Sequence, residues 1–503
     1  MRRGIVVSLL CLAMLSLPTV VAGAAAVPPE WPPAGHVNYA DEWFGARLGQ
    51  LWSYDAGSAV FASPVIAGET LYTGSDGGRC FALNLADGTP RWTYEAGGAI
   101  KDQPCLLGGR VYFTTLAGDV IALTAADGAL IWRTSLGERI DAGPLALADR
   151  VVVPCSDGTV RALAASDGRE VWRYRVGLGA RLLSTPAATA DAVLIEADGG
   201  LTALDPSTGA KLWHTALSGE FRHWPVVRGE SVFSAGSGDA DGGVFALAAA
   251  SGDVLARYTY RGDNHWSAPA VDVRDDAVYA GLEGGVYCFD GRLNVRATWL
   301  GAPQSVVGRK RYVMWQPLIL RDLVIVPGHL EIAAPDALFF FARDGRLSFL
   351  GRTELPEKLA AAPAVHDSVL YYGSVGGHVI ALAPIRVSLN GRLVDFGLHQ
   401  PLAQASGRVL VPARAVFEAA GGTVDWNGEV RTVTVRLGGH AVQLVIDSAT
   451  ILIDGRPAVI DEPARLINDA TLVPIRAVIE GLGGQVAWDA QAQMVLITIA
   501  ADR

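Results

Sequence analysis

Cysteine is scarce: five in 503 residues, no two adjacent and none spaced as zinc ligands are. One of them, Cys11, sits in an apolar N-terminal run, leaving Cys80, Cys105, Cys155 and Cys288 for the rest of the chain. Those four fall on strand-like segments of different repeats. An exported protein tolerates disulfides, but these read as buried free thiols. Basic charge is also short. The 41 Lys and Arg face 51 Asp and Glu, a net charge of −10, which argues against nucleic acid as the main partner. Past the N-terminus no apolar run is long enough to span a bilayer, so no membrane insertion is expected of the mature chain. There is no Gly-x-Ser-x-Gly elbow, no His-Glu-x-x-His and no phosphate loop.

What is present begins with a leader. Arg2 and Arg3 precede an apolar stretch over 4–21, and Ala22-Gly23-Ala24 or Ala24-Ala25-Ala26 fits a cleavage site. Residues 1–26 therefore read as a secretory signal peptide, followed by a linker over 27–49. A retained anchor is the alternative, since the run approaches spanning length. Lipidation at Cys11 is excluded, because Leu10 stands where a small residue is needed and the apolar core continues past it.

The rest of the chain is organised by a period of about forty residues. Trp52, Trp92, Trp132, Trp172 and Trp213 recur at spacings of 40, 40, 40 and 41. Eight prolines, Pro64, Pro104, Pro144, Pro186, Pro225, Pro269, Pro317 and Pro363, each open a short apolar run, and a buried strand such as Phe81-Ala82-Leu83 recurs eight times. Within the second unit, Cys105–Leu107, Val111–Thr114, Val120–Leu123 and Leu130–Arg133 read as four strands a to d. Gly108-Gly109, Ala117-Gly118-Asp119 and Asp127-Gly128 turn between them. Four-stranded units repeated radially predict a propeller, here of eight blades over 50–384. The eighth unit lacks a tryptophan strand, while Leu51–Tyr54 is such a strand without a unit, so the N-terminal strand is expected to complete the last blade and remove the open edges. An open solenoid is the alternative.

The recurring Ala82-x-Asn84-x-x-x-Gly88-x-x-x-Trp92 pattern, repeated at Ala122…Gly128…Trp132, Ala162…Gly168…Trp172 and Ala203…Gly209…Trp213, resembles the tryptophan-docking repeat of the PQQ-type (quinoprotein) propellers. It decays later: Ala256 replaces the tryptophan, Trp299 is displaced by one and Phe349 stands in. That superfamily holds PQQ-dependent alcohol dehydrogenases and cofactor-free propellers alike. For the enzymes the resemblance implies a quinone, calcium, a catalytic Asp and usually a disulfide between adjacent cysteines. This chain has no such pair and no evident Glu/Asn/Asp calcium set, and Asp76, Asp87, Asp119, Asp127, Asp157 and Asp167 fall in turns. No enzyme, cofactor or metal is expected.

A ligand would meet the mouth of the central channel, where the segments before the eight prolines converge. Units five to seven contribute Arg222, His223 and Trp224, then Asn264, His265 and Trp266, then Trp315 and Gln316, and these are the candidate binding residues. The alternative is that the tryptophans plug the channel. Arg309-Lys310-Arg311 precedes Trp315 and suits an acidic group.

After Pro384 the period changes. Val409-Leu-Val-Pro-Ala-Arg414 through Gly421-Gly422-x-Val424-x-Trp426 matches Thr471-Leu-Val-Pro-Ile-Arg476 through Gly483-Gly484-x-Val486-x-Trp488 at an offset of 62. Each copy reads as a strand, then a helix opened by Pro and closed by Gly, then alternating strands. Arg414/Glu418 and Arg476/Glu480 run against the helix dipole, so these arginines are expected to contact loops or strands. The doubled motif is similar to the copper amine oxidase N-terminal-like, or stalk, domain over 385–503, which implies a spacer or envelope-contact role. His399 and His440 stand outside any ligand-like cluster, so no copper is expected. The fold class is mainly β, an eight-bladed propeller followed by a small duplicated α+β domain. The functional expectation is an exported, non-catalytic binding or scaffold protein of the cell envelope, recognising an envelope protein or cell-wall component. A PQQ-dependent dehydrogenase and a polysaccharide-binding module are the alternatives.

Overall fold

A computed structural model of the chain describes residues 48–177, 182–221, 223–236, 238–262, 268–282, 285–299, 312–313, 315–321, 323–329, 336–396, 401–403, 408–467, 470–489 and 493–499. The leader expected over 1–26 lies outside the described residues. Among the described residues, no helix is long and apolar enough to cross a membrane.

Eight antiparallel sheets follow one another along the chain. The first blade is Val65–Ala67, Thr70–Gly74, Arg79–Asn84 and Pro90–Glu95, and the second is Cys105–Leu107, Arg110–Thr114, Asp119–Thr124 and Leu130–Ser135. Strands b and c are buried on both faces, while strand d alternates, so the inner strands read as continuous apolar runs and the rim strand as a period of two. The innermost strands of successive blades touch one another, as in a ring. The seventh blade has an extra short strand.

The ring closes as its ends suggest. Leu48–Asp55 runs antiparallel to His378–Pro384, with Trp52 opposite Ala381, and supplies the outer strand of the eighth blade. The same strand reaches the first blade: the Trp52 indole N–H donates to Leu85 O at 2.8 Å. This bond recurs around the ring. Trp92 donates to Ala125 O at 2.9 Å, Trp132 to Ala165 O at 3.0 Å, Trp172 to Pro206 O at 3.0 Å and Trp213 to Ala249 O at 3.1 Å. Each indole therefore crosses from its own blade to the c–d turn of the next. The motif glycine is required at that turn on two counts. Gly128 has φ +72°, which L side chains rarely adopt, and a Cβ there would lie 2.6 Å from the Trp92 ring. The motif alanine is explained by register, since Ala82, Ala122, Ala162 and Ala203 each stand directly opposite their own blade's tryptophan.

In the later blades the registers correct the sequence alignment. The positions equivalent to the docking tryptophan are Ala256, Ala297 and Gly351, opposite Ala246, Cys288 and Phe340. Trp299 is thus displaced by two residues rather than one, and Phe349 does not stand in for the indole. Instead these rings pack together: Trp299 stacks on Phe349 at 5.3 Å and meets Phe341 edge-on at 5.1 Å.

The C-terminal residues build three sheets and two short helices around one core that includes Val387, Val411, Phe417, Val435, Val473, Ile479 and Val495. Helix α1 is Ala413–Ala419 and α2 is Ile475–Gly481. Both end in the same cap. Gly421 N–H donates to Glu418 O and Gly422 N–H to Phe417 O, and Gly483 and Gly484 repeat this with Glu480 and Ile479. The two copies meet at strands Val409–Pro412 and Ala470–Pro474, which pair Leu410 with Pro474, Val411 with Val473 and Pro412 with Leu472, a reciprocal register with twofold character. Among the described residues the helix arginines pair along their own helix rather than with loops or strands: Arg414 with Glu418 at 3.8 Å and Arg476 with Glu480 at 3.6 Å, all exposed by about half or more. A seven-residue helix places these side chains on one open face, where the i,i+4 partner is nearest.

Trp52→Ala is expected to cost about 3–5 kcal/mol, the range for a large buried aromatic. It should lower the thermal midpoint more than Phe349→Ala, whose ring is already half open to solvent.

Candidate functional site

Strand a of each blade begins just after its proline, so the residues before the proline line the inner ring at one end. On blades two to four these residues form one network. The Asp102 carboxylate accepts from Gly143 N–H at 2.8 Å, from the Thr185 hydroxyl at 2.7 Å and from Gln103 N–H at 2.8 Å. One side chain thereby ties three blades. Burial pushes the Asp102 carboxyl above its ordinary value, and the three donors oppose that rise. Next to it, Gln103 and Ser184 are buried, and among the described residues neither Gln103 Nε2 nor Ser184 Oγ has a hydrogen-bond partner. Lys101 stands 4.0 Å over the Phe61 ring and 2.6 Å from Asp76.

The candidates on blades five and seven are placed differently. His223 and Trp224 are half-buried and meet edge to face, ring centroids 6.5 Å apart. Trp224 packs on the core shared by blades five and six, with Val226, Phe233 and Val271. Trp315 packs on the core of blades seven and eight, with Leu318, Leu320 and Tyr372. The two tryptophans therefore belong to separate clusters. Gln316 is 5% exposed and donates to Pro269 O at 2.7 Å, joining blade seven to blade six. Arg222, Asn264, His265 and Trp266, and the loop Arg309-Lys310-Arg311, lie outside the described residues.

Most of the array's acids serve local structure. Asp87, Asp127, Asp157 and Asp167 accept from the backbone N–H two residues on, and hydrogen bonds from Ser207 and Thr208 pull Asp205 down to about 2. Asp76 and Asp119 depart from that pattern, pairing instead with Lys101 and with Arg133 at 2.6 Å. The four cysteines are free thiols, Cys105 half-buried and the others buried. Burial raises all four, Cys155 and Cys288 to about 11, so thiolate chemistry is suppressed.

Two groups were passed over in the sequence. Asp102 was visible only as one polar residue before a proline, with its partner Thr185 lying 83 residues away. Glu196 carried no signal at all. It is the penultimate residue of strand Val193–Ala197, is 1% exposed and has the Ser234 hydroxyl of blade five beside it. Burial pushes its carboxyl well above the usual carboxylate range, the Ser234 hydroxyl opposing.

Residues 45–156 and 104–292 match a family described as outer membrane protein assembly factor BamB, and residues 388–497 match the copper amine oxidase N-terminal domain. No curated protein matches the chain. Among solved structures, BamB from Moraxella catarrhalis superposes with a TM-score of 0.54 at 20% identity, over 67% of this chain and 99% of that one. The quinohemoprotein alcohol dehydrogenase from Comamonas testosteroni gives 0.59 at 14% identity, over 79% and 85%. The quinohemoprotein alcohol dehydrogenase ADHIIG from Pseudomonas putida HK5 gives 0.58 at 13%, over 70% and 79%. Identities this low speak for the fold. The chain is a quinoprotein-type β-propeller repeat protein. More fully, it is a PQQ-like propeller that carries a copper amine oxidase N-terminal-like domain at its C-terminal end.

The quinone enzymes among these neighbours prompt a test of fit. Cys80, Cys105, Cys155 and Cys288 lie in four different blades, so no two of them form the adjacent pair that the resemblance implied for the enzymes. Among the described residues no three His, Cys, Asp or Glu side chains form a group that could hold a metal ion. The residues described do not fit the enzymes' cofactor set.

Because a buried acid with a raised folded value keeps its proton while the unfolded chain ionises, Glu196 costs stability as pH rises through and above the ordinary glutamate range. Glu196→Gln is therefore expected to melt a few degrees above the parent at pH 8 and to lose that advantage near pH 4. Equal melting shifts at both pH values would contradict the assignment.

Proposed function

We propose that this chain is an exported, non-catalytic binding or scaffold protein of the cell envelope, whose propeller recognises an envelope protein or a cell-wall component at the inner-ring face. The observation that carries this reading is the divided character of that face. Blades two to four bring polar groups together around Asp102, with Gln103 Nε2 and Ser184 Oγ buried and unpartnered among the described residues. Blades five and seven bring Trp224 and Trp315, each half-buried. Buried polar atoms are normally satisfied, and a surface joining such groups to partly exposed indoles is the composition of a recognition site. The array's turn acids and raised thiols are occupied with structure, which supports a binding role over a catalytic one. Likeness to BamB supports a protein partner in the envelope, and the leader over 1–26 supports export.

The test is capture from solubilised envelope by the chain lacking residues 1–26. A specific partner should be retained by the parent and lost about tenfold or more by Trp224→Ala/Trp266→Ala/Trp315→Ala or by Asp102→Asn/Gln103→Ala, each checked for an unchanged melting profile. A partner held equally by both variants would move recognition away from this face. Dye-linked alcohol oxidation after addition of PQQ and calcium is expected to stay at background, and activity above it would overturn the non-catalytic reading.

A further inference from the structure

The C-terminal domain contains an open groove of about 620 Å³, within the range of small-molecule sites. Trp488 forms part of its wall and is 42% exposed, an indole that the core leaves largely uncovered. Two ion pairs stand along the same wall. Arg408 Nε lies 2.7 Å from Asp461 Oδ2, and Arg476 lies 3.6 Å from Glu480, with all four side chains about half-exposed. The mutual pull of Arg408 and Asp461 raises the one and lowers the other, so this pair stays charged across the physiological range.

We infer that this groove is a binding site for a neutral saccharide chain. The charges cancel in pairs, so the groove offers no net attraction to phosphate, nucleic acid or an acidic polymer. Each pair presents N–H donors beside carboxylate acceptors, which is what the adjacent hydroxyls of a pyranose require, since each hydroxyl both gives and accepts. Because each guanidinium is already held by its carboxylate, less side-chain entropy is lost when a ligand arrives. The exposed indole supplies a flat apolar face for the C–H side of the ring. No part of this site belongs to the propeller, so it stands or falls apart from the reading above.

The duplication provides an internal comparison. Trp426 is the counterpart of Trp488 and is 39% exposed, and Arg414–Glu418 is the counterpart of Arg476–Glu480. At the position of Arg408, however, the other copy carries Ala470. The first copy therefore has the platform and one ion pair but no charge to match the second.

The experiment is calorimetric titration of the chain lacking residues 1–26 with a panel of neutral oligosaccharides, chitotetraose and cellotetraose first, beside an anionic heparin-type oligosaccharide. Binding of at least one neutral member is expected. Trp488→Ala and Arg408→Ala should each weaken it about tenfold or more, Trp488→Phe much less, and Trp426→Ala not at all. Trp224→Ala/Trp315→Ala should leave it intact, separating this site from the propeller face. A melting profile for each variant separates lost binding from lost fold. The inference is overturned if no neutral member binds, if only the anionic probe binds, or if a folded Trp488→Ala binds as the parent does.

Discussion

The fold depends on one contact repeated from blade to blade: an indole N–H reaching a carbonyl in the c–d turn of the next sheet. Within a blade the ladders satisfy the backbone, but nothing in a ladder tells one sheet where its neighbour belongs. The docking tryptophan does. Its ring fills the wedge between two blades, the neighbour's turn glycine allows it to lie flat, and its one polar atom, which would cost free energy if buried unsatisfied, finds a carbonyl acceptor. Trp52 is the member on which closure turns. Its backbone belongs to the eighth blade and its indole to the first, so it links directly the two parts of the propeller most distant in sequence, beside Tyr371, whose hydroxyl donates to the same Leu85 O.

Where that contact is lost, another kind of joint replaces it. Blades five to seven have Ala256, Ala297 and Gly351 in place of the indole. There Arg343 reaches from the seventh blade to Asp272 and Asp275 of the sixth, and Arg228 reaches from the fifth to Asp276 of the sixth. Asp272 and the Arg343 side chain are both nearly inaccessible, so the pair is buried and hydrogen-bonded rather than superficial. Breaking such a pair is costly, although the intact pair adds little beyond an apolar contact of the same volume. These are also the units with the widest spacing in sequence. The segment of the ring that departs from the repeat is thus the one held by specific charge pairs and by the Trp299 aromatic cluster, while the regular blades share one device.

Architecture was legible in the sequence because its signals are local. Strand alternation, Asp-Gly turns, a proline before each strand a and a tryptophan every forty residues all lie within one unit. Register was less legible, because the c–d connection changes length: Ala82 and Trp92 face each other ten residues apart, but Cys288 and Ala297 are nine apart and Phe340 and Gly351 eleven, so a fixed spacing misplaces Trp299 and Phe349. Asp102 and Gln103 stand in the sequence only as polar residues before Pro104, and their importance depends on Gly143 and Thr185 in other blades, which no single unit discloses. Aromatic residues drew attention to blades five to seven for the opposite reason, since size is visible in a sequence and satisfaction of hydrogen bonds is not. The glutamates beside Arg414 and Arg476 were visible at i,i+4. The order of charge suggested partners elsewhere, yet proximity on a two-turn helix outweighed the weak dipole term.

The join between the two modules is short and paired. Strand His378–Pro384 ends the propeller, and strand Arg386–Leu389 begins the next domain after Ile385 alone. That second strand runs parallel to Met494–Thr498, the last strand of the chain, and Arg386 N–H donates to Gln493 O at 2.9 Å. The chain's final strand is thereby tied to the segment leaving the propeller, and Gln493 also lies against Gly49 in the closing strand. A flexible tether needs several unpaired residues to gain conformational freedom, and here one residue separates two hydrogen-bonded strands. The C-terminal domain is therefore a stiff continuation of the eighth blade.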